Sequence, residues 1–315
     1  MKELLVSVII PVYNVASYIG NCIDSVCNQT FKGFEVVLVD DGSMDESISI
    51  AESILKKNMM NYRIVRQENK GLAAARNAGI RQAVGVFVVC VDSDDVICKD
   101  FIKTVVGVND PILALNFKRV KKESLFDEPL VHYENEVISR DEILLGFLKR
   151  EYQIVCPAMF IRRDFLIKNG FWYDESVRFS EDQLYIWNVL FTAESVVYNR
   201  TALYNYYIRS NSIMTSSSSD NILTGYSAIK RFCESKTIKD DFPEIVTMIL
   251  PRWILGALRT STKLMSNKDF KLLAKQMESK KNMHSLLKFP ESRARKMARL
   301  FIFSPEVFYF VARRV

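Results

Sequence analysis

The sequence holds only two histidines, His132 and His284, and no Cys-x-x-Cys pair among its six cysteines, Cys22, Cys27, Cys90, Cys98, Cys156 and Cys233. Zinc needs clustered His and Cys ligands, so a zinc site is disfavoured. Cysteines inside apolar runs behave as small hydrophobes, and reduced core thiols are the expectation. No run of about 18 apolar residues occurs, which argues against a transmembrane helix. The first ten residues lack the length and cleavage site of a signal peptide and read as a first strand, so a cytosolic chain is expected. A Gly-x-Gly-x-x-Gly turn is missing after that strand, where Pro11-Val12-Tyr13-Asn14 stands, and no Gly-x-x-x-x-Gly-Lys-Ser/Thr loop is present. Dinucleotide dehydrogenases and P-loop NTPases are both disfavoured.

What is present is an ordinary folded composition, 49% hydrophobic and 25% charged over 315 residues. That length suits one large α/β domain with an extension and excludes wholesale disorder. Charge is unevenly spread. Residues 286–315 carry seven basic residues against Glu291 and Glu306, a net +5 out of +6 for the whole chain. A nearly neutral body is not a nucleic-acid-binding one; the basic tail points to a local partner.

The first hundred residues alternate strand and helix patterns. Leu5–Val12, Phe34–Val39, Tyr62–Val65 and Val86–Val91 are apolar runs of strand length. Between them, Tyr18–Gln29, a segment opened by Asp45, and the alanine-rich Gly71–Ala83 have helical spacing. Strands alternating with helices imply parallel crossovers and an open α/β sheet. Parallel strands present their C-terminal ends at one edge, where ligands bind. Asp40, Asp41, Asp92 and Asp94 each lie just past such an end, so acids about fifty residues apart converge on one crevice. Gathered carboxylates suggest a hard cation that offsets their repulsion and a phosphorylated ligand.

Five segments in order then resemble glycosyltransferase family 2, the inverting transferases of GT-A fold. They are Val6-Ser7-Val8-Ile9-Ile10-Pro11-Val12-Tyr13-Asn14, Ser25-Val26-Cys27-Asn28-Gln29-Thr30-Phe31, Val39-Asp40-Asp41-Gly42-Ser43, Asn69-Lys70-Gly71-Leu72-Ala73-Ala74-Ala75-Arg76-Asn77 and Asp92-Ser93-Asp94-Asp95. The close match covers about the first 110 residues. The resemblance implies that Pro11, Tyr13 and Asn14 line a base and ribose pocket, and that Asp41, with Asp40, accepts a hydrogen bond from a uracil ring. It places Lys70, Gly71 and Arg76 along the ribose and diphosphate, where a guanidinium suits phosphate. Asp92 and Asp94 are the family's Asp-x-Asp pair, with Ser93 beside the donor; Asp94 is the direct ligand of Mn²⁺ or Mg²⁺, and Asp92 lies near ribose or metal. Lys99 stands where the family often has proline.

Farther on, Phe179-Ser180-Glu181-Asp182-Gln183-Leu184-Tyr185 resembles the family's Glu-Asp segment, which makes Asp182 the general base. An acidic pair opening a helix is also stabilised by the helix dipole alone, and a solvated helix residue is the lesser alternative for Arg76. The Gln-x-x-Arg-Trp signature of processive synthases is absent, since Ile249 precedes Arg252-Trp253, which favours a non-processive enzyme. Tyr198, Tyr204, Tyr206 and Tyr207 could face an acceptor sugar, but half-buried strand positions are the better reading. Ser216–Ser219 read as a mobile connector.

The implied organisation is a GT-A domain over 1–215, its donor half 1–110 and acceptor half 111–215, followed by a helical extension over 216–315. Leu300–Phe303 and Val307–Val311, flanked by arginines, suit either the interface of an anionic membrane or packing on the protein's own domain or a dimer partner. The implied function is transfer of a sugar from a nucleotide-sugar donor, UDP-linked by resemblance, to a glycan or lipid-linked acceptor in capsule, O-antigen or exopolysaccharide assembly. The alternatives are a catalytically silent sugar-nucleotide-binding or scaffold protein, and a sugar-phosphate nucleotidyltransferase; residues 10–20 lack the Gly-rich basic signature the latter needs.

Overall fold

A computed structural model of the chain describes residues 4–208 and 218–314. Two compact units emerge: Met1–Ile143, Tyr152–Glu175 and Tyr185–Arg209 form the first, and Leu144–Glu151, Ser176–Leu184 and Ser210–Val315 the second. The expected boundary at 215/216 falls outside the described residues, as do Ser216 and Ser217 of the serine tract. Ser218 and Ser219 are no connector. Ser218 caps a helix by accepting the Asn221 N–H at 3.2 Å, which satisfies one of the first-turn amides.

The first unit is built in chain order from β1 (Val6–Val12), α1 (Ala16–Cys27), β2 (Phe34–Asp40), α2 (Ser47–Lys57), β3 (Tyr62–Arg66), α3 (Leu72–Gln82), β4 (Phe87–Cys90) and β5 (Val96–Ile97). It continues with β6 (Ile112–Val120), β7 (Glu136–Ser139), α4 (Arg140–Lys149), β8 (Met159–Arg162), α5 (Arg163–Asn169), α6 (Glu181–Thr192) and β9 (Ser195–Tyr207); the ends of α4 and α6 reach into the second unit. One sheet runs β3-β2-β1-β4-β8-β6-β9-β5, with β7 paired to β9. β1 to β4 are mutually parallel where they pair, and the chain reverses its lateral direction at β1, which has β2 on one side and β4 on the other. β8 pairs antiparallel with β4 and β6.

Every residue of β1, β2 and β4 is buried, as expected of strands covered on both faces. On α1, Ile19, Cys22, Ile23 and Val26 recur at helical spacing and form the inward stripe. The small residues of α3 let it lie close on the sheet: a Cβ at Gly79 would sit 2.2 Å from Ile9 Cγ2. One buried charge was hidden inside the apolar reading of β2. Glu35 accepts the Ser7 hydroxyl at 2.6 Å, the Val84 N–H at 2.9 Å and the Arg63 guanidinium at 2.7 Å, so its carboxylate enters the core fully hydrogen-bonded. The helix expected from Asp45 starts at Ser47, and Asp45 instead accepts the N–H groups of Ser47 and Ala16. Tyr198 and Tyr204 on β9 are completely buried rather than half-buried.

In the second unit lie α7 (Ser219–Glu234), α8 (Lys236–Asp241), α9 (Pro243–Leu264), α10 (Asn267–Gln276), α11 (Ser279–Ser285), α12 (Ser292–Phe303) and α13 (Pro305–Arg314). Phe270 of α10 packs against Phe301, Phe308 and Tyr309 with ring centroids 5.2–6.4 Å apart. The tail's apolar residues are therefore divided: these bury into their own unit, while Phe303, Val307, Phe310 and Val311 face solvent, Phe303 at 81% exposure. Among the described residues no helix is long and apolar enough to cross a membrane.

Gly85 tests the closeness of the β1 edge. A Cβ there would lie 2.5 Å from Ser7 N and 2.6 Å from Val6 C, both backbone atoms that cannot swing away. Gly85→Ala is expected to destabilise the protein by about 1–3 kcal/mol, measured by urea denaturation; an unchanged midpoint would show that the strand edge is loosely packed.

Candidate active site

The C-terminal ends of β2, β1 and β4 lie side by side in that order, so the turns after Asp40, Val12 and Cys90 share one edge at the point where strand order reverses. Open parallel sheets bind ligands there. Each turn is tied to its neighbour. Asp41 donates its N–H to Val12 O at 2.9 Å. Asn14, in the left-handed region at φ 49°, accepts the Met44 N–H at 2.9 Å, which couples the turn after β1 to the loop after β2. Asparagine tolerates that conformation better than most residues. Pro11 is buried within β1, whereas Tyr13 is 46% exposed and presents its ring at the strand end.

Asp40 and Asp41 are both buried; Asp40 ties the turn after β2 to the end of β3, and Asp41 holds the loop between β3 and α3. Asp40 accepts the Ser43 N–H at 2.9 Å and Arg66 Nη1 at 2.8 Å. Asp41 accepts Gln67 Nε2 at 2.7 Å and the backbone N–H groups of Lys70 and Gly71 at 2.9 Å each. The resemblance gives Asp41 a bond from uracil. With roughly four acceptor positions on a carboxylate, one more donor can be taken. Gly71, at φ 91°, then turns the chain into α3, a conformation only glycine adopts without strain.

Arg76 is no solvated helix residue: it is 3% exposed, and its Nη2 donates to Asp92 Oδ1 at 2.8 Å. Its guanidinium carbon lies 5.1 Å from the centroid of Tyr173, whose ring stacks on Tyr185 at 3.9 Å and 6°. Asn77, the next residue, accepts the Tyr173 N–H and donates to Tyr173 O, both at 2.9 Å. The aromatic pair and Asn77 thus fix the guanidinium that faces Asp92.

Asp92, Ser93 and Asp94 follow β4, with Ser93 buried and both aspartates half-buried. Asp95 turns the other way, 1% exposed, and accepts the Tyr204 hydroxyl at 2.6 Å and the Tyr207 N–H at 2.8 Å. Burial, then the nearby charges of Asp92 and Asp94, push its carboxyl well above the usual range. Tyr204 also receives the Asp92 N–H at 3.3 Å and so braces the whole acid turn. Asp92 and Asp94 supply oxygen donors suited to a hard divalent cation. Among the described residues no set of three or more His, Cys, Asp or Glu is arranged to hold a metal. That donor set fits a cation held by one or two carboxylates together with ligand phosphates, the usual habit of Mg²⁺.

In the second unit, Asp182 is half-buried in the first turn of α6, entered through Ser180 at φ 62°. A serine held left-handed is strained, and such strain concentrates at functional positions. Sequence reasoning missed Tyr173, Tyr185, Asn77 and Tyr204 as supports; their partners lie 12 to 112 residues away, and no local pattern marks them.

With this geometry in place, the comparisons agree on the class. The profile of Glycosyl transferase family 2 matches residues 7–171. The putative glycosyltransferase EpsH of Bacillus subtilis is 31% identical over 228 residues, covering 68% of this chain and 64% of that protein. The uncharacterized glycosyltransferase EpsJ of the same organism is 31% identical over 66% of this chain and 62% of its own length. The chain belongs to glycosyltransferase family 2, and it spans less than two thirds of the length of these relatives. Its fold is shared by S. aureus TarS, solved with UDP-GlcNAc, at TM-score 0.62 and 21% identity over 98% of this chain and 90% of that one. The mannosyltransferase PcManGT of Pyrobaculum calidifontis, solved with GDP-Man and Mn²⁺, gives TM-score 0.60 and 17% identity over 100% and 87%. These likenesses show a GT-A-type sheet with a helical C-terminal region. The family match ends before Asp182.

Asp95 separates bracing from ligand binding. Asp95→Asn removes a repelling charge but offers one acceptor oxygen to the two donors Tyr204 and Tyr207, so its melting temperature should fall between those of Asp95→Ala and the native protein. Asp95→Ala strands the Tyr204 hydroxyl and the Tyr207 N–H and should cost about 2–5 kcal/mol. Equal melting temperatures for Asp95→Ala and the native protein would contradict the brace.

Proposed function

We propose that the protein is a non-processive, metal-dependent inverting glycosyltransferase that moves a sugar from a nucleotide-sugar donor, UDP-linked, to a hydroxyl of a glycan or lipid-linked acceptor in cell-surface polysaccharide assembly. The observation that carries the reading is the ion pair of buried Arg76 with half-buried Asp92 beside Asp94 at the strand-order reversal, with the Asp41-clamped Lys70–Gly71 turn on the same sheet edge. Family membership, and the nucleotide sugars bound by TarS and PcManGT, support a donor of that class.

In this reading Tyr13 stacks on the base, Pro11 and Asn14 shape the pocket floor, and Asp41, with Asp40 behind it, accepts from the base. Lys70, Gly71 and Arg76 run along the ribose and diphosphate, and Ser93 lies beneath them. Asp94, with Asp92, would hold Mn²⁺ or Mg²⁺, which when bound stabilises charge on the departing diphosphate. Arg76 holds Asp92 in place and adds positive charge where the leaving group gains negative charge. Asp182 takes the proton of the acceptor hydroxyl as it attacks the anomeric carbon from the face opposite the diphosphate, and that single displacement inverts configuration.

Calorimetry with UDP-, GDP- and dTDP-sugars, in Mn²⁺ and then in EDTA, tests the donor site, and released nucleoside diphosphate reports turnover. One nucleotide class should bind only with metal, and Asp94→Ala should weaken it about tenfold or more. Asp182→Asn should leave donor affinity near native while lowering turnover by about 10²–10⁴-fold. Native turnover in Asp182→Asn would remove the base and favour the silent sugar-nucleotide-binding alternative; donor binding indifferent to EDTA and to Asp94 would remove the metal.

A lipid-linked acceptor asks for access to a membrane surface. Supporting this are the solvent-facing Phe303, Val307, Phe310 and Val311, set among the exposed Arg293, Lys296, Arg299, Arg313 and Arg314. Apolar rings beside basic residues suit an anionic interface. The protein should sediment with phosphatidylglycerol-containing vesicles and not with pure phosphatidylcholine, and Phe303→Ser/Phe310→Ser should abolish this. A native protein that ignores both vesicles and runs as a dimer, with the double variant monomeric, would assign the patch to self-association.

A further inference from the structure

Within the second unit, α10 turns Phe270, Leu273 and Ala274 inward and leaves Lys268, Lys271, Leu272 and Lys275 exposed. A helix face meant only for solvent usually interleaves acids with its lysines at i, i+4 spacing. Here Lys271 and Lys275 stand four apart, a like-charge pair that costs helix stability. Leu272, 58% exposed, lies between Lys268 and Lys275 on the same face. The single acid of α10, Asp269, is taken up by the helix cap, where it accepts the Ser266 hydroxyl at 2.6 Å.

Between this helix, α11 and the junction of α12 with α13 lies a groove of about 510 Å³. Buried Ala274 and Phe301 form its floor, and the exposed Lys271, Lys275, Lys280 and Lys281 form its rim. Two glutamates also reach the rim, and both are engaged. Glu306 pairs with Lys271, while Glu278 pairs with Lys230 of α7 at 3.1 Å and stands 4.0 Å from Lys281. Lys275 and Lys280 have no ion-pair partner among the described residues. A second hollow of about 530 Å³ adjoins the groove along α10, sharing Lys271 and Lys275 and adding Lys268 and Leu272.

A free inorganic anion would use the lysines and leave the apolar floor uncovered. An anion joined to an apolar body uses both. Pro305 also lines the groove, and Phe303, two residues before it, is 81% exposed, so a solvent-facing apolar surface begins where the cationic rim ends. Phosphate groups next to acyl chains at a bilayer surface present the same sequence of chemistry, and lysines there are attracted by the negative potential of an anionic leaflet.

We propose that the groove between α10, α11 and the α12–α13 junction binds the phosphate headgroup of an anionic phospholipid, with Lys275 and Lys280 as its principal cations. The choice of a lipid rests on the membrane-facing reading of the tail; the anion-binding groove itself does not.

Calorimetry on the full chain with dihexanoyl phosphatidylglycerol, kept below its micelle concentration, tests the groove without a bilayer. The native protein should bind it, should bind glycerol 3-phosphate more weakly, and should ignore dihexanoyl phosphatidylcholine. Lys275→Gln/Lys280→Gln should bind the anionic lipid about tenfold more weakly or worse, and Lys275→Arg/Lys280→Arg should stay within about threefold of native. Both positions are exposed, and the glutamine variant loses a like-charge pair, so its melting temperature should equal or exceed the native value. Absence of binding, equal binding of phosphatidylcholine, or equal affinity in the native protein and the glutamine variant overturns the groove. Glycerol 3-phosphate binding as tight as the lipid overturns the lipid assignment. Sedimentation with phosphatidylglycerol vesicles separates the two readings. A native protein that binds the short-chain lipid through these lysines and ignores vesicles fails the membrane reading and leaves the groove standing. Vesicle binding by the native protein, with short-chain lipid affinity unmoved by the glutamine changes, fails the groove and leaves the tail reading intact.

Discussion

Three carboxylates in four residues, Asp92, Asp94 and Asp95, have to be held against their mutual repulsion, and the first unit is organised around that constraint. The fold separates their tasks. Asp95 is turned into the core, where the Tyr204 hydroxyl and the Tyr207 N–H occupy its oxygens. Asp92 meets a guanidinium that is itself buried, and Asp94 stays half-buried at the strand end. A buried arginine costs much desolvation free energy unless charge and ring face compensate it. Asp92 and Tyr173 supply these, and the flat Tyr173–Tyr185 stack ties that arrangement to α6. The acid turn is thus fixed from below by β9 and from the side by α3, before any ligand arrives.

The second acid group solves a different problem. Asp40 and Asp41 spend most of their acceptor capacity on the protein, drawing in Ser43, Arg66, Gln67, Lys70 and Gly71. Two backbone N–H groups fixed by one carboxylate define a turn far more narrowly than side-chain packing would, since backbone donors have little freedom to re-aim. Asp41 therefore shapes the loop between β3 and α3 before any ligand is considered.

Much of this was legible in the chain because the first unit obeys local rules. Buried parallel strands are continuous apolar runs, helices between them show i, i+3, i+4, i+7 spacing, and the clustered acids fall where strands end; β1 to β4 and the convergence of Asp40, Asp41, Asp92 and Asp94 on one sheet edge follow directly. What stayed hidden is non-local. Glu35 sits in an alternation-free apolar strand, and its acceptance of Ser7, Arg63 and Val84 depends on three separate segments meeting. Tyr204 looks like any strand tyrosine until β9 is threaded into the sheet beneath β4's turn. Asp95 reads as one more member of an acid cluster, because sequence gives no sign of which way a carboxylate points. The tail's aromatic residues likewise needed coordinates to divide into those that pack on Phe270 and those that face water.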